Sequence, residues 1–392
     1  MDEKNLQSFV SAYGTPVFVF DEAQLETRVN AIKEIVGNNI HLCYSIKANP
    51  FLIPVMQKTV KTLEVCSPGE LEICARLGVD PDTILFSGVN KTKSDINRAV
   101  SLGVRNFTAE SPLHVTLLNE IAQKHNCILP VILRITAGSQ FGMDEKDLLD
   151  MIARRDRFKC LRIEGLHYFP GTQQKKITQQ AKDVDFLCAL MDKLRTKYHF
   201  SVKRIEYGPG LYFPYFTADN CEDTLAPLRS ILHSLQVLAQ RAELTIEMGR
   251  FFASECGTYL TTVVDTKQNC GTNYAILDGG IHHVNYYGGN MGMRIPHITH
   301  LHKNNFSDNE ANDWTLCGSL CTTADVLVRS APFYDLKIGD VLAFHNIGAY
   351  SVTEGPNLFL SRDLPRVVLH REGNTRLVRD IIHSSSINSP NL

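Results

Sequence analysis

The chain has 392 residues, a formal net charge of −2, 44% hydrophobic residues and 21% charged residues. That length exceeds one small core and predicts two domains, with the composition of an ordinary globular enzyme. Near-neutral charge excludes bulk attraction to nucleic acid or anionic membrane, and no run approaches the roughly 18 apolar residues of a membrane span.

The opening MDEKNLQSF lacks the basic and apolar regions of an export signal. The 11 cysteines are scattered, without a C-x-x-C pair or zinc-finger spacing. The expectation is a cytoplasmic chain with reduced, mostly buried thiols. In chain order, VFVFD (Val17 to Asp21) is a first strand candidate, suited to pairing with a later domain. Eight strand candidates then alternate with amphipathic segments. They end at Ile46, Cys66, Gly88, Glu110, Thr136, Tyr168, Gly208 and Gly249. Helix-like stretches include Ser111 to His125, opening on a capping serine, Ile177 to Lys197 and Asp223 to Arg241. Eightfold strand–helix alternation predicts a (β/α)8 barrel, with an open doubly wound sheet as the runner-up.

After about residue 257 strand-like runs dominate: YLTTVVDT, YAILDGG, WTLCGSL, DVLVRS, DVLAFHNI and LPRVVLH. Lys337 to Asp340 reads as a turn between strands. The tail SSSINSPNL reads as frayed. The expected organisation is a barrel over residues 35–260 and a β domain over 261–392 that recruits the N-terminal strand of residues 1–34.

Barrel enzymes place their chemistry at the C-terminal strand ends. Those ends carry Lys47, Ser67 and Glu70, Asn90 and Lys91, Glu110, Arg134, His167 to Gln173, Gly208 to Gly210, and Glu247 to Arg250. A lysine leaving a buried strand points into the mouth, where desolvation favours a nucleophilic amine. Gly208-Pro209-Gly210 suits an anion. Glu247 suits a pyridinium proton and Arg250 a phosphate. Together these suggest pyridoxal phosphate.

These motifs resemble the fold-type III pyridoxal-phosphate-dependent decarboxylases, the diaminopimelate/ornithine/arginine decarboxylase family, over nearly the whole chain. Y-S-I-K-A-N-P (Tyr44 to Pro50) looks like the cofactor-lysine motif, and E-V-C-S-P-G-E-L (Glu64 to Leu71) the segment below the cofactor. E-M-G-R (Glu247 to Arg250) stands at the family's E-P-G-R, C-G-S-L-C-T-T-A-D (Cys317 to Asp325) at its catalytic-cysteine segment, and G-A-Y (Gly348 to Tyr350) at its phosphate tyrosine. The resemblance implies an alanine-racemase-like barrel plus a C-terminal β-sandwich or β-barrel domain. It implies Lys47 as the cofactor lysine and Cys321 as the acid that protonates carbon after CO2 leaves. It implies a cofactor site of Glu64, Arg134, Phe169, Thr172, Gly208, Gly210, Glu247, Gly249, Arg250 and Tyr350. It further implies a head-to-tail homodimer whose cysteine enters the partner's site.

Departures narrow the substrate. Pro209 replaces a glycine and removes one backbone donor. K-F-G reads Gln140-Phe141-Gly142, and Phe169 stands where a histidine usually stacks on the cofactor. Thr322 follows Cys321 where diaminopimelate and ornithine enzymes carry a carboxylate for the distal amino group. Q-F-G-M, G-T-Q, F-P-Y-F and G-G-I-H-H resemble a biosynthetic subgroup, the butirosin-type carrier-protein-linked and siderophore-pathway decarboxylases. His282, His283 and Thr322 are the candidate substrate residues, and no metal ligand is expected. The implied activity is decarboxylation of an L-amino acid, or of one modified or presented on an acyl carrier protein, through an external aldimine and a quinonoid. Diaminopimelate decarboxylation is the alternative. A racemase on the same barrel would need a tyrosine base in place of Cys321, and a non-catalytic homologue would lose that cysteine.

Overall fold

Nine strands lie in the first two-thirds of the chain in a computed structural model, which describes residues 1–286, 292–302 and 311–390. The first, β1 (Val17–Asp21), belongs to a sheet described below. The next eight are β2 (Ile40–Ser45), β3 (Thr62–Val65), β4 (Ile84–Phe86), β5 (Asn106–Ala109), β6 (Leu129–Arg134), β7 (Leu161–Tyr168), β8 (Arg204–Tyr207) and β9 (Glu243–Met248). They are parallel and close into a barrel, β9 pairing with β2 from Ile40↔Leu244 to Tyr44↔Met248. The strands are short apolar runs because helices cover one face and barrel side chains the other. This compact unit spans Glu26–Phe213 and Asp223–Phe252.

Helix starts follow local chemistry. Ser111 caps Pro112–Lys124, its hydroxyl accepting from His114 N. Ser67 caps Pro68–Arg76 in the same way, accepting from Glu70 N. The Glu70 carboxylate returns the bond by accepting from Cys66 N at 2.7 Å. Two of the chemistry-bearing strand-end residues, Ser67 and Glu70, thus fix where a helix begins.

The second unit comprises Met1–Leu25, Pro214–Glu222 and Ala253–Leu392. Its strands are β1, β10 (Gly257–Asn269), β11 (Thr272–Leu277), β12 (Ile298–Leu301), β13 (Asn312–Cys317), β14 (Val326–Phe333), β15 (Val341–His345), β16 (Arg366–Arg371) and β17 (Asn374–Arg379). Their order is β14-β13-β11-β10-β1-β16-β17, with β15 pairing both β10 and β12. The first half of β10 pairs with β1 and β15, and the second half with β11. The N-terminal helix Glu3–Tyr13, capped by Asp2, drops Leu6 and Phe9 onto Val17, Val19, Leu260 and Val368. Each such side chain contributes about 1.5–3 kcal/mol when buried.

That helix, β12 and β17 are absent from the sequence reading. The helix has few apolar anchors, and β12 and β17 are short or half-exposed. The tail corrects a further expectation. Ser384 is fully buried and Ser385–Asn388 form a turn of helix, so those residues are not frayed; residues 391 and 392 lie outside the described ones. No helix among the described residues is long and apolar enough to cross a membrane.

Candidate active site

Lys47 lies in the 3-10 turn Ile46–Ala48 directly after β2. On either side of β2, register sets a carboxylate: Glu64 opposite Ser45 on β3, and Glu247 opposite Cys43 on β9. Lys47 Nζ donates to Glu64 Oε2 at 2.8 Å and lies 3.8 Å from Glu247 Oε1. The Cys66 thiol is 3.6 Å from Nζ and donates to Glu64 Oε1 at 3.2 Å. The lysine side chain is 41% exposed while those of Glu64 and Glu247 are 2% and 6% exposed. An accessible amine is therefore anchored on two buried acids.

Glu247 is the centre of this cluster. Ser45 Oγ donates to its Oε1 at 3.1 Å, and His167 Nε2 on β7 lies 3.1 Å from its Oε2. Burial opposes its ionisation, but the Lys47 charge and His167 outweigh that and hold the carboxyl well below its usual range. Glu206 on β8, between the strands of His167 and Glu247, behaves oppositely. Burial, then the Glu247 charge, pushes its carboxyl well above the usual range. Burial and Glu64 likewise push the Cys66 thiol up.

A second group packs around the glycine turn. Gly210 has φ +57°, and a Cβ there would stand 1.7 Å from Gly171 O. A Cβ on Gly208 would stand 2.5 Å from the Phe169 ring. Gln174 N donates to Gly210 O at 2.8 Å, so the segment carrying Phe169 and Thr172 lies against Gly208 and Gly210. Gly249 packs on Ala48 of the lysine's own turn, and buried Arg250 opens the helix Arg250–Ala253. Arg134 sits apart from both groups in its pairing: its Nη1 donates to Glu110 Oε1 at 2.9 Å and its guanidinium covers Phe141.

The remaining predicted residues belong to the second unit. Cys321 and Thr322 are exposed. Their segment is tied to the loop after β11 through Asp325, whose two carboxylate oxygens accept from Ile281 N at 2.8 Å and Leu320 N at 2.7 Å. His282 and His283 are buried, their rings 3.7 Å apart, and His283 Nδ1 is 2.8 Å from Tyr259 OH. Tyr350 has φ +68°, a conformation bulky residues adopt rarely and chiefly where structure enforces it. A cavity of 220 Å³ in this unit is lined by Phe216, Tyr286, Asn285, Arg294 and Glu354 among others.

An aldehyde cofactor with a pyridine ring and a phosphate needs a primary amine, a buried anion for the ring nitrogen and a close-approach backbone turn for the phosphate. Lys47, Glu247 and the turn at Gly210 have that chemistry within one barrel. The family described as "Pyridoxal-dependent decarboxylase, pyridoxal binding domain" matches residues 22–254, more than half of the chain. The chain belongs to the pyridoxal-dependent decarboxylases. Its cofactor is pyridoxal 5'-phosphate and its reaction class is amino-acid decarboxylation.

Among these decarboxylases the L-glutamyl-[BtrI acyl-carrier protein] decarboxylase of Niallia circulans is 26% identical, over 97% of this chain and 94% of that one. The diaminopimelate decarboxylase of Vibrio cholerae is 27% identical over the same shares. The crystal structure of diaminopimelate decarboxylase from M. jannaschii with L-lysine has a TM-score of 0.85 at 23% identity, covering 97% of this chain and 92% of that one. It shows the shared fold.

His167, Glu206, Asp325 and the cavity residues Arg294 and Glu354 carry no individual role in the sequence reading. His167 was visible as a strand end beside Tyr168. Its pairing with Glu247 was not, because β8 separates their strands in sequence.

Proposed function

We propose that this decarboxylase acts on an amino acid whose distal end is not a free ammonium, such as one modified there or linked to a carrier protein. The observation that carries this reading is the Cys321 segment. Thr322 occupies the position of the expected distal-amine acid. Asp325, the sole acid between Ser319 and Asp325, spends both oxygens on backbone N–H groups. Within this segment a distal ammonium would find no carboxylate other than one already bonded to the backbone, so the segment offers it no charge partner. The carrier-linked relative supports the same direction.

In this reading Lys47 is the amine that would hold the cofactor aldehyde. Bound there, pyridoxal phosphate supplies the electron sink for the pair left behind by CO2. Glu247, kept ionised by Lys47 and His167, would pair with the ring nitrogen and favour its protonated form. Glu64 positions the lysine amine, and Phe169 would stack on the ring. Gly208, Gly210, Thr172 and Arg250 would hold the phosphate on the barrel, and Tyr350 stands at the family's phosphate tyrosine. Cys321, solvent-exposed on its own unit, serves the partner's site in a head-to-tail homodimer and returns the proton to carbon. His282 and His283 are further candidate substrate residues in this reading. The setting is the cytoplasm, where thiols stay reduced.

The deciding experiment is CO2 release over meso-diaminopimelate, L-ornithine, L-lysine, L-glutamate and glutamyl-acyl carrier protein. The free diamino acids are expected to be the poorest substrates; diaminopimelate as the best would overturn the reading. Mixing Lys47→Ala with Cys321→Ala chains tests the shared site. Recovered activity supports it, since a mixed dimer carries one intact site, and none argues for a self-contained subunit.

A further inference from the structure

The second unit contains a group of ligating side chains that belongs to none of the cofactor or cysteine motifs above. His300 lies on β12 and His302 directly follows that strand, so the two share one face at a spacing of two residues. Their rings lie 3.7 Å apart. β15 runs antiparallel to β12 with His300 opposite Leu342, which brings Asp340, just before β15, alongside. His300 Nε2 is 2.9 Å from Asp340 Oδ2. One ligand atom from each of the three residues falls within 4.8 Å of the others.

We propose that His300, His302 and Asp340 form a site for a divalent first-row metal ion of the zinc class. An aspartate that only oriented His300 would account for one imidazole. It leaves unexplained why a second imidazole nitrogen converges on the same carboxylate. Two imidazoles and a carboxylate suit zinc, with a fourth position for water or another ligand. The carboxylate is pre-oriented: the turn Lys337 to Asp340 folds back so that Lys337 N donates to Asp340 Oδ2 at 2.9 Å. That supporting bond to a ligand is what tuned metal sites carry. The His300 side chain is 10% exposed and that of Asp340 4%, so the ligands sit in a partly dry pocket edged by Phe333. On binding, the metal takes the place of the proton on His300 Nε2, and the neutral ring carries its one proton on Nδ1 instead, so the histidine stays an uncharged ligand. The ion would pin β12 to the turn ahead of β15 and so fix the outer edge of the sheet, remote in role from decarboxylation.

The test uses the cofactor-loaded protein, stripped of metal and titrated with zinc chloride by calorimetry, alongside His302→Ala and Asp340→Asn. Asp340→Asn keeps an oxygen for Lys337 N, so the turn survives. The expected result is one tight equivalent of zinc per chain whose dissociation constant rises at least about tenfold in each variant, with a zinc-dependent rise in Tm seen in the parent alone. Cobalt(II) should give visible bands of a low-coordinate N,O site in the parent and not in His302→Ala. Zinc bound equally by parent and variants, as thiols elsewhere would bind it, overturns the proposal. So does the absence of any tight equivalent in the parent.

Discussion

The barrel contains two buried charge clusters of similar composition and opposite character. At the ends of β5 and β6, Glu110 and Arg134 form a closed pair, with side chains 3% and 10% exposed. Glu110 also accepts from Gly142 N, and Arg134 covers Phe141. Burial would raise the Glu110 carboxyl, but Arg134 and Lys91 outweigh it and hold the group ionised below its ordinary range. At the ends of β2, β3 and β9, Lys47 meets two buried acids while its own side chain stays 41% exposed. In the first cluster the two charges are spent on each other. The second holds an amine ready for a ligand. A closed ion pair does structural work, whereas an open one is a place for chemistry.

The largest effect expected from this contrast is at the open cluster. Lys47→Ala should lower decarboxylation by more than about a thousandfold, beyond what loss of one acid–base group alone costs. The visible absorbance of lysine-bound cofactor should vanish, with far-UV circular dichroism unchanged. A retained borohydride-reducible band would place the cofactor on another lysine. The closed cluster should answer in stability instead. Glu110→Gln leaves Arg134 buried without its charge partner and should cost about 3–5 kcal/mol. Below its lowered Tm, the variant should keep most of its turnover. Lost turnover with unchanged Tm would move the Glu110–Arg134 pair into the active machinery.

The sequence displayed the two clusters unequally. Lys47 and Glu247 stand in recognisable strings at strand ends, and the eight apolar runs that position them are continuous in the chain. Glu110 and Arg134 each ended a strand too, yet no local signal pairs them with one another. His167 and Glu206 depend on the closure of the barrel and on alternate strands facing one centre. His300, His302 and Asp340 need the antiparallel register of β12 against β15, and β12 itself gave no turn-bounded apolar run to read. Local chemistry is legible, while convergence across a sheet requires the fold.

The same opposition of closed and open acids predicts a specificity change. Asp325 is closed by two backbone N–H groups, and its neighbour Thr322 is exposed. Thr322→Glu adds an open carboxylate next to Cys321. It should raise kcat/KM for meso-diaminopimelate about tenfold, or roughly 1.4 kcal/mol. The gain should reside in KM and fade at high salt, as an exposed charge contact does. An unchanged ratio among free diamino acids would mean that the distal group is read elsewhere.

The smallest effect is expected at Glu206, an acid that neither cluster closes. Its Oε1 is buried without a hydrogen-bond partner, and burial with the Glu247 charge holds its proton in the folded state above the ordinary value of 4.5. Below pH 4.5 folded and unfolded chains both carry that proton, so the group is neutral in stability there. As pH rises past 4.5 the unfolded chain releases it while the folded chain keeps it, and unfolding becomes progressively favoured. Glu206→Gln removes the titration but keeps the shape. The variant should therefore match the parent at low pH and gain in Tm as pH rises, by about 2–4 °C for each kcal/mol in a domain of this size. Calorimetric scans at pH 5 and pH 8 measure the difference. If that gain were the same at both, the Glu206 carboxyl would be ionised in the folded protein, beside the ionised Glu247.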